Sequence, residues 1–189
     1  MNLNKVAAIC KKHKQIHIHN DPNTGMQWLG DGTGMYLLEG MPRLTTDECL
    51  RLFDVPKKKH HAYYCQVDNL PEGIDFSDEA GVNSEDLRPY FITIGRGNES
   101  FQVFNDGSTL YAINETYLTP FAGNLEYVKY HKREIKGGTF MLGINVGLLL
   151  QAVIAPYLLH WDEPLVNDMR RITEGLQYMQ KNHPRPSAE

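Results

Sequence analysis

The chain has 189 residues, of which 41% are hydrophobic and 22% charged, a balance ordinary for a soluble globular protein. That length supports one substantial core or two small subdomains. The formal net charge is -4, so general attraction to nucleic acid is not expected and contact with DNA would need a local basic patch.

In chain order, residues 3–14 predict a helix, with Leu3, Val6, Ala7 and Cys10 at helical spacing and Asn2 or Asn4 as its cap. It carries Lys5, Lys11, Lys12 and Lys14, and no acid precedes Asp21. Residues 15–20 alternate as a strand does. A turn at 21–25 leads into a hairpin of residues 26–29 and 35–38 around Gly30, Asp31, Gly32, Thr33 and Gly34. These glycines resemble a phosphate loop only by number, because a strand and not a helix follows them. Thr45 and Glu48 form a capping box, and the helix they open must end before Pro56. Lys57, Lys58, Lys59, His60 and His61 make a second basic cluster, and a Tyr-rich strand is expected over 61–67.

Residues 68–88 read as an acidic loop or insertion, with Asp75, Asp78, Glu79, Glu85 and Asp86 as the acids that could meet a partner. A hairpin of 90–94 and 100–104 follows, turned at 95–98, with a further turn at 105–107. A short helix-like segment carries Tyr117 and Leu118, and a strand is expected in 125–130. The apolar run 139–159 is broken near Asn145 and Gly147, which fits two buried strands better than a membrane span. A last helix is expected over 163–181, where Leu165, Met169, Ile172, Leu176 and Met179 form a heptad seam. That seam admits packing on its own domain or on a second subunit.

The expected fold is therefore α+β: antiparallel sheet from two helix-plus-hairpin units, with an added C-terminal amphipathic helix. The expected boundaries are 1–67, 68–88, 89–160 and 161–189. Cys10, Cys49 and Cys65 lack paired spacing and read as reduced thiols. The lysine-rich start lacks an apolar run, so a cytoplasmic chain is expected.

For chemistry, His17 and His19 stand at i and i+2 of a strand and share a face, so both could ligate one metal in a hydrolase. No second ligand cluster accompanies them, and solvent-facing histidines opposite Ile16 and Ile18 are the simpler reading. No phosphate loop, nucleophile elbow or zinc-protease motif is present. A non-enzymatic protein without a cofactor is the expectation. Lys5, Lys11, Lys12, Lys14, Lys57, Lys58 and Lys59 are the candidates for salt-sensitive phosphate contact.

The stretch from Thr109 to Leu159 resembles half of a DNA sliding-clamp domain. The Tyr117–Leu118 pair follows a strand, and an apolar strand, Ala152 to Ile154, ends close to Pro156. The resemblance implies a protein that binds a partner of DNA metabolism and, non-specifically, DNA. The segments Cys10 to His13 and Gln27 to Gly32 resemble small prophage-encoded accessory proteins. Some proteins of that kind are anti-CRISPR inhibitors, which implies as an alternative the binding of a host nuclease such as Cas9.

Overall fold

The structure is a computed structural model that describes residues 1–78, 86–105, 110–123, 125–135 and 139–157, together with Arg171, Ile172, Gly175 and Tyr178. The architecture is mixed α+β. Helix α1 (Leu3–His13) is capped by Asn2, whose side chain accepts from the amides of Asn4 (3.0 Å) and Lys5 (3.4 Å). It buries Val6, Ala7, Ile9 and Cys10, which recur every three or four residues on one stripe. Full burial of each larger aliphatic side chain is worth about 1.5–3 kcal/mol.

The helix ends on Lys14, a non-glycine residue in the left-handed region at φ 54°. That conformation costs an L-residue about 1–2 kcal/mol, which exceeds the ~0.5–1 kcal/mol of chain entropy that glycine adds. Lys14→Gly is therefore expected to stabilise the fold by about 0.5–1 kcal/mol, read as a higher urea midpoint at unchanged slope. An unchanged or lower midpoint would contradict the strain argument.

Strands β1 (Gln15–Asn20), β2 (Gln27–Gly30) and β3 (Gly34–Leu37) form an antiparallel meander in which His17 pairs with Gly30 and Gly30 with Met35. Helix α2 (Thr46–Leu52) opens with the expected capping box, the Thr45 hydroxyl facing the Glu48 amide and the Glu48 carboxylate accepting from the Thr45 amide. The strand expected from residue 61 starts later. Pro56 leads into a 3-10 helix, Lys57–Ala62, and β4 follows at Tyr64–Asn69.

The second half holds β5 (Asp86–Arg96), β6 (Glu99–Asn105), β7 (Leu110–Asn114), β8 (Val128–Ile135), β9 (Thr139–Val146) and β10 (Leu149–Ile154). The helix expected around Tyr117 is instead two single 3-10 turns, Glu115–Tyr117 and Thr119–Phe121. Asn114 caps the first turn through the Thr116 amide, but Pro120 has no amide to donate back to Thr116, so no α-helical ladder propagates from that cap. The turn expected at 105–107 lies outside the described residues beyond Asn105. So does most of the heptad helix, of which Arg171, Ile172, Gly175 and Tyr178 are helical.

Among the described residues, ten strands form one sheet in the order β4-β1-β2-β3-β10-β9-β8-β5-β6-β7. The sheet is not wholly antiparallel as expected: β4 pairs parallel to β1, with Gln15 opposite Tyr64 and His17 opposite Gln66. A parallel neighbour needs a long crossover. Here β2, β3, α2 and the 3-10 helix supply it. Past β10 the chain reaches β7, where the Tyr157 amide donates to the Ala112 carbonyl at 2.8 Å. The sheet thus curls until β7 meets the chain leaving β10. Its concave side holds the main core with α1 and α2, including Ile16, Ile18, Leu29, Tyr36, Phe104, Phe121 and Leu142. On the other side Leu70, Ile74 and Phe76 cover Trp28, Met35, Leu37 and Leu150.

Candidate functional site

Two basic clusters that lie more than forty positions apart in sequence meet at the β4 end of the sheet. The Lys11 ammonium donates to the Phe53 carbonyl at 3.2 Å, which ties the end of α1 to the end of α2. The Tyr64 amide donates to the Lys14 carbonyl at 2.9 Å, just beyond the Lys57–Ala62 turn. Lys11, Lys14, Lys57, Lys58 and Lys59 are all exposed along this edge, with His60 and His61 beside them and Asp54 as the nearest acid in sequence. The other two lysines of α1 are not brought there. Lys12 approaches Glu99 at 3.7 Å, and Lys5, two turns earlier, lies on the same side of the helix.

Next to this edge lies a buried polar junction that sequence reasoning missed. Asp31, in the β2–β3 turn, has a side chain only 1% exposed and pairs directly with His13 at the end of α1. Its other oxygen accepts from the amides of Thr33 (3.0 Å) and Gly34 (3.1 Å), and the Tyr117 hydroxyl donates to the carboxylate at 2.8 Å. Tyr117 reaches this point because Gly34 has no side chain: a Cβ there would stand 2.9 Å from the Tyr117 ring. The Tyr36 hydroxyl donates to the Tyr117 carbonyl at 2.9 Å and completes the junction. Burial, reinforced by the charge of Asp31, pushes the Tyr36 and Tyr117 phenols up, so both are neutral donors at physiological pH. The signal available in sequence was an aspartate between glycines in a tight turn, but nothing in it specified His13 or Tyr117 as partners.

His17 and His19 do share a face of β1, their ring centroids 6.3 Å apart. His19 Nδ1 lies 3.3 Å from the Asn69 carbonyl. Burial, and then the neighbouring His19, push His17 down, so it is neutral near pH 7. Among the described residues no group of three or more His, Cys, Asp or Glu is arranged to hold a metal ion. The three cysteines are free; burial pushes the Cys10 and Cys49 thiols up, the latter to about 12.

Of the acids considered for a partner, Asp75 and Asp78 fasten residues 70–78 to the sheet. Asp75 accepts from the Ser77 amide at 2.8 Å and lies 3.6 Å from the Arg133 guanidinium. Burial alone would raise the Asp75 carboxyl, but the Ser77 hydrogen bonds and Arg133 together hold it below its ordinary value. Asp78 accepts from the Leu150 amide at 2.8 Å. Asp86 opens β5, and Glu79 and Glu85 lie outside the described residues.

Compared with known proteins, the chain matches no family profile, no curated sequence and no solved structure. Among the described residues no helix is long and apolar enough to cross a membrane.

Proposed function

We propose that the chain is a non-enzymatic nucleic-acid-binding protein whose contact surface is the basic edge formed by Lys11, Lys14 and Lys57 to Lys59. The observation that carries this reading is the meeting of the two lysine clusters through the Lys11–Phe53 and Lys14–Tyr64 hydrogen bonds. A chain of net charge -4 gains nothing from a scattered set of lysines, whereas five exposed on one edge create a local field that attracts phosphates. Lys57, Lys58 and Lys59 are exposed on a short 3-10 turn, which leaves their ammonium groups able to reach phosphate.

The finer form of the proposal is a phage or prophage accessory protein with a clamp-like unit that acts on a partner of DNA metabolism. What supports that form is the sequence resemblance of Thr109–Leu159 in its paired apolar strands β9 and β10, since the Tyr117–Leu118 segment is 3-10 turns and not the helix the resemblance implies.

The test is equilibrium binding of a labelled oligonucleotide over a range of salt. Affinity is expected to fall linearly on a log–log plot. Lys57→Glu with Lys58→Glu is expected to reduce affinity by about tenfold or more and the salt slope by about one for each lysine replaced. Lys129→Glu, on β8, makes the same kind of charge reversal away from the edge and serves as the control. Equal weakening in the edge variant and the control, or none in either, would remove the basic edge from the reading.

A further inference from the structure

Resting on the nucleic-acid reading above, we propose that the ligand of the basic edge is a single strand whose bases stack on Tyr64, with His17 supporting the ring. Strand β4 ends the sheet order, so Tyr64 stands on the outermost strand. The alternation of β1 puts Ile16 and Ile18 into the main core and Gln15, His17 and His19 on the opposite face. The parallel register puts Tyr64 and Gln66 on that same face, opposite Gln15 and His17.

Residues 70–78 cover this face further in, where Phe76 meets Trp28 at 4.9 Å between ring centroids and Trp28 is buried. The cover does not extend to Tyr64, which is 58% exposed. The Tyr64 hydroxyl donates to Gln66 Oε1 at 3.0 Å, so the ring leans along its own strand. The His17 ring lies 5.5 Å from it, tilted by 49°, and restricts it from the second side. An exposed tyrosine held in this way offers a π-face at low ordering cost.

The charge around the ring says what that face is for. Tyr64 is bonded through its own amide to Lys14, and Lys57 to Lys59 lie on the turn that precedes it. In the other direction β4 runs to Asp68 and Asn69. A bound backbone would therefore track from Tyr64 toward the lysines and away from Asp68. Bases in a duplex are stacked on one another and present no free face, whereas every base of a single strand has one to offer. An exposed aromatic ring on the strand that leaves a lysine-rich turn suits the single strand.

The experiment compares oligo-dT, oligo-rU and the oligo-dT·oligo-dA duplex on the full chain, with fold checked by circular dichroism. Tyr64→Ala is expected to weaken binding of the preferred single strand by about tenfold and to leave the salt slope unchanged, while Tyr64→Phe, which keeps the π-face and loses only the Gln66 bond, is expected to weaken it by no more than about threefold. Duplex binding is expected to be weaker than single-strand binding and indifferent to Tyr64→Ala. Oligo-dU, which differs from oligo-rU only at the 2′-hydroxyl, is added to identify the sugar preferred. If Tyr64→Ala leaves single-strand affinity intact, or the duplex binds as tightly, the inference fails while the basic edge stands, provided Lys57→Glu still flattens the salt dependence. If Lys57→Glu has no effect, or no oligonucleotide binds, the reading and the inference fail together.

Discussion

Gly30→Ala is expected to destabilise the protein by about 3 kcal/mol or more, the upper end of what overpacking a closed site costs. A Cβ at Gly30 would lie 1.6 Å from the Gly34 carbonyl oxygen and 2.8 Å from its carbon. The obstructing atoms are backbone, so no side chain can swing away to make room. Strand β3 would have to separate from β2, and β3 is also the strand that carries the β10 pairing joining the two parts of the sheet. Gly95→Ala is the matched comparison: a Cβ there meets nothing within 4 Å and its backbone is not left-handed. That variant is expected within about 0.5 kcal/mol of the parent. Urea denaturation of the two variants decides the matter, and a Gly30→Ala protein as stable as Gly95→Ala would contradict the close approach of the β2–β3 turn.

Asp31→Ala is expected to cost about 3–5 kcal/mol, the range for removing one partner of a buried pair. The cost arises from what is left behind. The Thr33 and Gly34 amides would keep their donor hydrogens with their carboxylate acceptor gone, and the Tyr117 hydroxyl would be left with only the longer contact to His13 Nδ1 at 3.3 Å. Each such buried group forgoes about 1–3 kcal/mol of solvation without compensation. His13 would lose the partner that fixes the last turn of α1. The measurement is the urea midpoint, with circular dichroism to report native helix and sheet. A change below about 1 kcal/mol would show that the junction is dispensable.

The same junction bears on binding. His13 directly precedes Lys14, and Lys14 is hydrogen-bonded to Tyr64. Loosening Asp31 would therefore loosen the geometry that sets the basic edge beside the exposed tyrosine. Stability and oligonucleotide affinity are linked at this point. They separate at Lys57, Lys58 and Tyr64, whose exposed side chains can be replaced without leaving a buried group unpaired.

Much of the local structure is legible residue by residue. The apolar spacing of Leu3, Val6, Ala7 and Cys10 specifies α1, and Thr45 with Glu48 specifies the start of α2. Glycine placement specifies the turns at residues 30–34 and 95–98, and Gly147 divides β9 from β10. These features depend on hydrogen bonds and steric limits within a few residues, so they are visible in a linear reading. Segment 115–121 differs, because the apolar pair Tyr117 and Leu118 suggests a helix that the backbone does not form. What Pro120 and the Asn114 cap do there is a matter of where backbone amides go.

The sequence by itself determined the α+β class, the positions of most strands and turns, and the existence of two lysine clusters in a chain of negative net charge. Only the tertiary structure decided that β4 would lie parallel to β1, that ten strands would join in one curled sheet, and that Lys11 and Lys14 would meet Lys57 to Lys59 while Lys5 and Lys12 turn away. It also decided that Asp31 would find His13 and Tyr117, which is 86 positions away. The physical reason is that helix caps and turns are settled by contacts between near neighbours. Strand order and the partner of a buried carboxylate are settled by which distant surfaces can be excluded from water together.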